Sequence, residues 1–208
     1  SKYAAQAMFN VASKSEQAFD FEKAVRTYLD LVKKYPESER RADAQINAAL
    51  ALEGQQQYQR AATEFQRFAK LFPERPEAPE VFFRSAVVQR KRADKNDEVR
   101  ALKDFITRYR SESAQVPRVV EAYSRLGDIE RERAAEVSKA KDRRRLNDAA
   151  DDAYAKAIQE FKRAEGSQTA AYFAAKAAFN LAQREFDDYA RAKIDANTGK
   201  VESVKQQR

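Results

Sequence analysis

The chain has 208 residues, and 40 Lys and Arg against 33 Asp and Glu leave a formal charge of +7. It contains no Cys and no His, which excludes disulfides, thiolate metal sites, cysteine nucleophiles and histidine acid–base catalysis. Charged residues make up 35% of the chain while Gly and Pro are scarce, a composition that favours helices. We therefore expect an all-α protein that is not an enzyme, with no metal, no cofactor and no small-molecule substrate. No apolar run is long enough to predict a membrane span.

The first half of the chain contains a sequence repeat. Phe21 to Pro36 reads FEKAVRTYLDLVKKYP, and Tyr58 to Pro73, 37 residues further on, reads YQRAATEFQRFAKLFP. Apolar residues recur at i, i+4 and i+7 in both segments, at Ala24, Tyr28 and Leu31 and at Ala61, Phe65 and Phe68. This spacing places them on one stripe of a helix that must be buried. The final prolines end these helices. The pattern predicts helices over 3–17, 20–35, 40–54 and 57–72, paired as two antiparallel hairpins.

Two further hairpins and a closing helix follow. One more period leads to Leu102, Phe105 and Tyr109, so we expect a third hairpin from helices over 77–93 and 96–110. The fourth contains about five additional helical turns. We place its helices over 117–140 and 147–165, with a charged tip projecting from the array, and a closing helix over 169–193. The repeat units are therefore about 3–35, 40–72, 77–110 and 117–165, within one repeat domain over 1–208. We expect the chain to be a piece of a longer protein.

The fourth unit carries the signatures of a known family. Its first helix contains Tyr123-x-x-Leu126-Gly127, and its second contains Tyr154, Ala157, Phe161 and Ala164. This pattern resembles the tetratricopeptide repeat (TPR), and four copies in register extend the resemblance over nearly the whole chain. The resemblance implies a right-handed α-solenoid of about four stacked antiparallel hairpins plus a closing helix.

Some features depart from the general family pattern. The period is 37 rather than ~34 residues, and Leu31, Phe68 and Phe105 stand where the second helix usually has a small residue. Together with the segment FPERPEAPEVFF, they are similar to bacterial cell-envelope members, such as outer-membrane assembly lipoproteins and the Tol-Pal coordinator. This resemblance implies a periplasmic or outer-membrane-associated protein, with peripheral envelope association. A cytoplasmic protein is the alternative, and bacterial motility and secretion machines contain similar repeats.

The resemblance also implies a binding site, because TPR arrays bind partners in the concave groove formed by the first helix of each hairpin. The residues at these positions are Phe9, Asn10, Ser13, Ile46, Asn47, Leu50, Phe83, Arg84, Val87, Phe179, Asn180 and Gln183. Apolar anchors beside side-chain amides suit an extended peptide or a partner helix. Alternatively, Phe9, Phe83 and Phe179 are core residues, and the recurring asparagines bind a neighbouring hairpin rather than a ligand.

A basic patch on the third hairpin, formed by Arg84, Arg90, Lys91 and Arg92, is the other candidate site. It could bind an acidic protein surface, anionic lipid or nucleic acid. Because acidic residues are interleaved and no nucleic-acid-binding motif accompanies the patch, nucleic acid is the less favoured partner.

Two functions remain open from the sequence. The first is a non-catalytic protein–protein interaction scaffold of the bacterial cell envelope, acting in an assembly, secretion or motility complex. The alternative is a helical regulatory or substrate-recruiting module of a longer enzyme. The sequence does not identify the partner.

Overall fold

A computed structural model of the chain describes residues 2–92, 94–164 and 166–191, and within them every long element is an α-helix. The helices are α1 Lys2–Gln17, α2 Phe21–Lys34, α3 Arg41–Gly54, α4 Tyr58–Leu71, α5 Ala78–Lys91, α6 Lys95–Tyr109, α7 Val116–Glu136, α8 Ala140–Phe161 and α9 Gln168–Arg191. Each helix packs against the next one in the chain, and α9 also packs against α7. The predicted all-α solenoid of antiparallel hairpins is confirmed.

The repeat extends to the backbone of the turns inside the first two hairpins. Phe19 and Gln56, 37 residues apart, both have a φ of 60°, in the left-handed region. In each turn the next residue donates its backbone N–H to the carbonyl five residues earlier. Asp20 donates to Ser15 at 2.8 Å, and Gln57 donates to Leu52 at 2.9 Å. This hydrogen bond ends the first helix of the hairpin with a Schellman motif. The chain then reverses into α2 or α4 with the same geometry.

The aromatic stripes of the second helices form the core, as their spacing predicts. Tyr28, Phe65, Phe68 and Phe105 are all fully buried. Their buried neighbours are mostly alanines of the adjacent helices, which lets the helices approach closely. Since one hairpin buries too little apolar surface to be stable alone, the stacking of units supplies the core.

The fourth hairpin is longer than the others because both of its helices are extended. α7 has 21 residues and α8 has 22, against 14 or 15 in α2 to α6. The turn lies at 137–139, so α8 begins seven residues earlier than the predicted 147. Arg143 on α8 donates hydrogen bonds to the carbonyls of Val137 and Ser138 and thereby holds the end of α7.

Candidate partner-binding face

The first helices of the first three hairpins, α1, α3 and α5, present a common surface that we call the A-helix face. At its centre Leu50 on α3 is 38% exposed, while Ile46 and Val87 are half-buried and pack on the core beneath. Asn10 is exposed and Asn47 is half-buried. The predicted residues of these helices therefore form a surface with one exposed aliphatic side chain among polar groups.

The phenylalanines predicted for the groove differ in their burial. Phe83 is only 2% exposed, and its ring lies edge-on to Phe105 with the centroids 5.0 Å apart. The expectation that Phe83 contacts a partner is therefore wrong, and the alternative of a core residue holds for it. Phe9 is half-buried, with its ring edge-on to Tyr28 at 5.5 Å. Phe179, in contrast, is 65% exposed.

Two of the three recurring asparagines bind a neighbouring hairpin. The Asn47 side-chain amide donates to the Tyr28 hydroxyl at 3.5 Å, and the Asn180 amide donates to the Asp128 carboxylate at 3.2 Å. Asn10 instead accepts a hydrogen bond of 2.8 Å from Gln6 on its own helix. Because Asn47 and Asn180 bond across the stack, their recurrence has a structural cause.

The basic patch is an array of ion pairs rather than an uncompensated cationic surface. Each of its members lies close to a carboxylate: Arg84 and Lys91 to Glu53 at 2.8 and 2.7 Å, Arg90 to Glu98 at 2.9 Å, and Arg92 to Asp97 at 3.0 Å. Phosphate binding would have to compete with these partners. The patch therefore gives no support to nucleic-acid binding.

Some of these ion pairs connect successive units across the A-helix face. Glu53 on α3 pairs with two cations of α5, and Glu80 on α5 pairs with Arg118 on α7 at 2.6 Å. Arg118 also lies over the Phe83 ring, with its guanidinium carbon 5.1 Å from the centroid. The face is thus fixed by contacts between helices, which favours a preformed binding surface.

Stability should fall in acid through Glu53. Burial raises the pKa of this carboxyl, but the hydrogen bonds from Lys91 and Arg84 outweigh burial and hold the pKa below its ordinary 4.5. A lowered pKa stabilises the fold fully above the ordinary value, and the contribution is lost as pH falls through the folded value. We expect Glu53→Gln to be less stable than the wild type at pH 7. Its free energy of unfolding, measured by urea denaturation at a series of pH values, should also fall less steeply below about pH 4.5. A decline as steep as that of the wild type would contradict this assignment.

A cavity on the opposite side, between the second helices α4 and α6, was not predicted. It has a volume of about 620 Å³, and its lining residues are Thr63, Glu64, Gln66, Arg67, Lys70, Phe82, Asp104, Thr107 and Arg108. Its polar residues look like ordinary solvated helix surface in the sequence, which is why sequence reasoning missed it. A second cavity of about 300 Å³ lies beside the turn from Tyr35 to Glu39.

Sequence reasoning also missed a polar junction around Asp128 on α7. Its carboxylate accepts hydrogen bonds from Lys176 at 2.6 Å, Tyr154 at 3.0 Å and Asn180 at 3.2 Å. Burial and the Asp128 charge raise the pKa of Tyr154, so its hydroxyl remains a proton donor. The junction ties α8 and α9 to α7.

The described part of the chain contains neither a metal-binding cluster nor a helix that could span a membrane. Across residues 2–92, 94–164 and 166–191, no cluster of three or more Asp and Glu side chains could hold a metal ion. Among the same residues, no helix is long and apolar enough to cross a membrane.

Residues 2–125, more than half of the chain, match the sequence profile of the YfiO family, described as an outer membrane lipoprotein. No curated protein sequence matches the chain. Among solved structures, a MamA protein is 15% identical, with a TM-score of 0.45 and coverage of 92% of this chain and 96% of MamA. MamA from Desulfovibrio magneticus RS-1 is 16% identical, with a TM-score of 0.41 and coverage of 91% and 97%. TPR-like repeats of a Podosopora anserina kinesin light chain are 12% identical, with a TM-score of 0.38 and coverage of 88% and 98%.

Proposed function

Since this chain belongs to the YfiO family of outer membrane lipoproteins, we propose that it is a non-catalytic scaffold of the bacterial cell envelope that binds a protein partner on its A-helix face. The matched residues contain α1 to α6 and the first part of α7, and thus the whole of that face. The family supports association with the periplasmic side of the outer membrane. A repeat array offers an extended surface that suits the binding of a protein partner.

Exposed Leu50 at the centre of the face is the observation that carries this proposal. An apolar side chain within a ring of polar groups matches the apolar core and polar rim of protein interfaces. Beside it, the ion pairs of Glu53 with Arg84 and Lys91 supply charges that would orient a partner. The surface suits a partner helix or extended peptide that places an apolar side chain against Leu50.

Two matched variants test where the partner binds. Leu50→Glu places a negative charge on the A-helix face. Thr63→Glu places the same charge at an exposed position of α4, at the edge of the cavity between α4 and α6. Both sites are exposed, so both variants should keep the wild-type circular dichroism spectrum and melting temperature.

The measurement is capture of envelope proteins from the source bacterium by the immobilised chain, followed by titration of the captured partner. We expect Leu50→Glu to weaken binding by about tenfold or more, because it places a charge against the apolar side chain of the partner. Thr63→Glu should bind like the wild type. Loss of binding in Thr63→Glu alone would move the site to the cavity, and capture of no envelope protein would refute the scaffold function.

A further inference from the structure

The face of α9 that points away from the stack is aromatic. Tyr172, Phe179 and Phe186 recur every seven residues, Tyr189 follows three residues later, and each is 65–67% exposed. Exposed Ala175 and Ala182 occupy the positions between them. These six residues form a stripe with heptad spacing, which we call the α9 seam.

The orientation of α9 is fixed, so the seam cannot turn inward. On the side facing the stack, Lys176 and Asn180 bind Asp128 at 2.6 and 3.2 Å. One turn further on, the Arg184 guanidinium donates to Asp148 on α8 at 3.1 Å. Rotating the aromatic residues into the stack would break these polar contacts.

The seam exposes four large aromatic side chains on one face of α9. At 150–250 Å² for a whole aromatic side chain, they expose roughly 500 Å² together, more than scattered surface residues do. Such a patch marks an interface.

The repeat register shows what kind of element fits the seam. The segment Phe179 to Ala182 aligns with Ile46 to Ala49 in α3, where Ala49 is fully buried in a cluster that includes Phe65 of α4. Val88 of α5 belongs to the same cluster, and Glu53, which aligns with Phe186, pairs with Arg84 of α5. In α3 this face is therefore covered by the neighbouring helices α4 and α5, and a helix is the element that fits the seam in α9.

We propose that a second copy of this chain covers the seam, with the two α9 helices packed antiparallel about a twofold axis near residues 180 and 181. An antiparallel pair that sets Phe179 opposite Ala182 of the second copy also sets Ala175 opposite Phe186 and Tyr172 opposite Tyr189. Each phenylalanine then meets an alanine, so large side chains fill the spaces left by small ones. At both ends of the helix pair, Tyr172 meets Tyr189, and the tyrosine hydroxyls lie where water can reach them.

The area suffices for a reversible dimer. Two copies would bury about 1,000 Å² of aromatic surface before the alanines and flanking residues are counted, which meets the minimum for a biological interface. A twofold arrangement uses the same patch on both copies and closes on itself. The seam residues all lie on α9, whereas the A-helix face belongs to α1, α3 and α5.

Sedimentation equilibrium of the intact 208-residue chain, from about 1 to 100 μM, tests the proposal. We expect a reversible dimer, and Phe179→Glu should raise its dissociation constant by about 100-fold because it places a charge in the centre of the seam. Tyr3→Glu is the control, since Tyr3 is also an exposed aromatic residue and lies on α1, outside the seam. A wild-type chain that is monomeric at every concentration would overturn the proposal and leave the seam to another helix. A dimer that Phe179→Glu leaves intact would overturn it too.

The orientation has a separate test, because the natural chain has no Cys. In the antiparallel arrangement the two Ala175 residues lie about 16 Å apart along the helix axes, too far for a disulfide. Ala175→Cys alone should therefore stay uncross-linked under oxidation. Mixed with Phe186→Cys, it should form a disulfide-linked dimer. Cross-linking of Ala175→Cys with itself would show parallel helices and contradict the proposed register.

Discussion

Gly127→Ala is expected to destabilise the protein by about 3 kcal/mol, because the added methyl group would overpack a closed helix crossing. A Cβ at Gly127 would lie 2.4 to 2.7 Å from three ring atoms of Tyr154, which is fully buried. The ring cannot move away freely, since its hydroxyl donates to Asp128 at 3.0 Å and Asp128 also holds α9. We therefore expect the fourth hairpin and α9 to loosen together.

Urea denaturation of the 208-residue chain measures this effect, and Gly54→Ala is the matched control. No atom lies within 4 Å of a Cβ at Gly54, which is also helical. That substitution should be neutral or stabilise the protein by up to about 1 kcal/mol, through the higher helix propensity of Ala. Equal effects of the two substitutions would show that the close approach of α7 to α8 is absent.

Arg125→Ala is expected to cost about 3 kcal/mol, because it leaves a buried carboxylate undercompensated. Glu98 is 2% exposed, and Arg125 donates to its two oxygens at 2.8 and 3.0 Å. Its other partner, Arg90, reaches only one of these oxygens, at 2.9 Å. Without Arg125 the second oxygen loses this hydrogen bond in a place that water barely reaches.

A double-mutant cycle identifies the cause of that loss. When Glu98 is replaced by Leu, which removes the buried charge, a further Arg125→Ala should cost much less than it does in the wild type. Arg90→Ala should cost less than Arg125→Ala, since Arg90 is more exposed and donates to one oxygen. A full cost of Arg125→Ala in the Glu98→Leu background would assign the effect to packing instead.

The helices and their stacking could be predicted because they depend on local periodicity. Stripes of aromatic residues at helical spacing, prolines that end helices and a repeat of 37 residues are all visible in the sequence. Even the lengthening of both helices in the fourth hairpin follows, because inserted residues must keep the buried faces in register. Only the position of its turn was misplaced.

The burial of individual residues could not be predicted, because it depends on what stacks above each unit. Ile46, Phe83 and Phe179 occupy one repeat position, yet they are half-buried, buried and exposed respectively. Phe83 lies under Arg118 of the following unit, whereas Phe179 belongs to the last described helix. The repeat register fixes a residue's direction on its helix, and the neighbouring unit decides whether a partner can reach it.

The ion pairs between helices could not be predicted from the sequence for a similar reason. In the sequence Arg84 and Lys91 look like part of a basic cluster, but their partner Glu53 lies 31 and 38 residues earlier in the chain. Asp128 likewise gathers donors from two other helices. Side chains that meet across the stack are far apart in sequence, and no local pattern reveals them.

Binding of an envelope protein to the A-helix face can be tested by site-specific photocross-linking in the source bacterium. A photoreactive amino acid is placed at Leu50 on α3 in one strain and in another at Thr63 on α4, at the edge of the cavity, since both side chains are exposed. We expect a cross-linked envelope protein from position 50 and none from position 63. Cross-linking from position 63 with none from position 50 would contradict it.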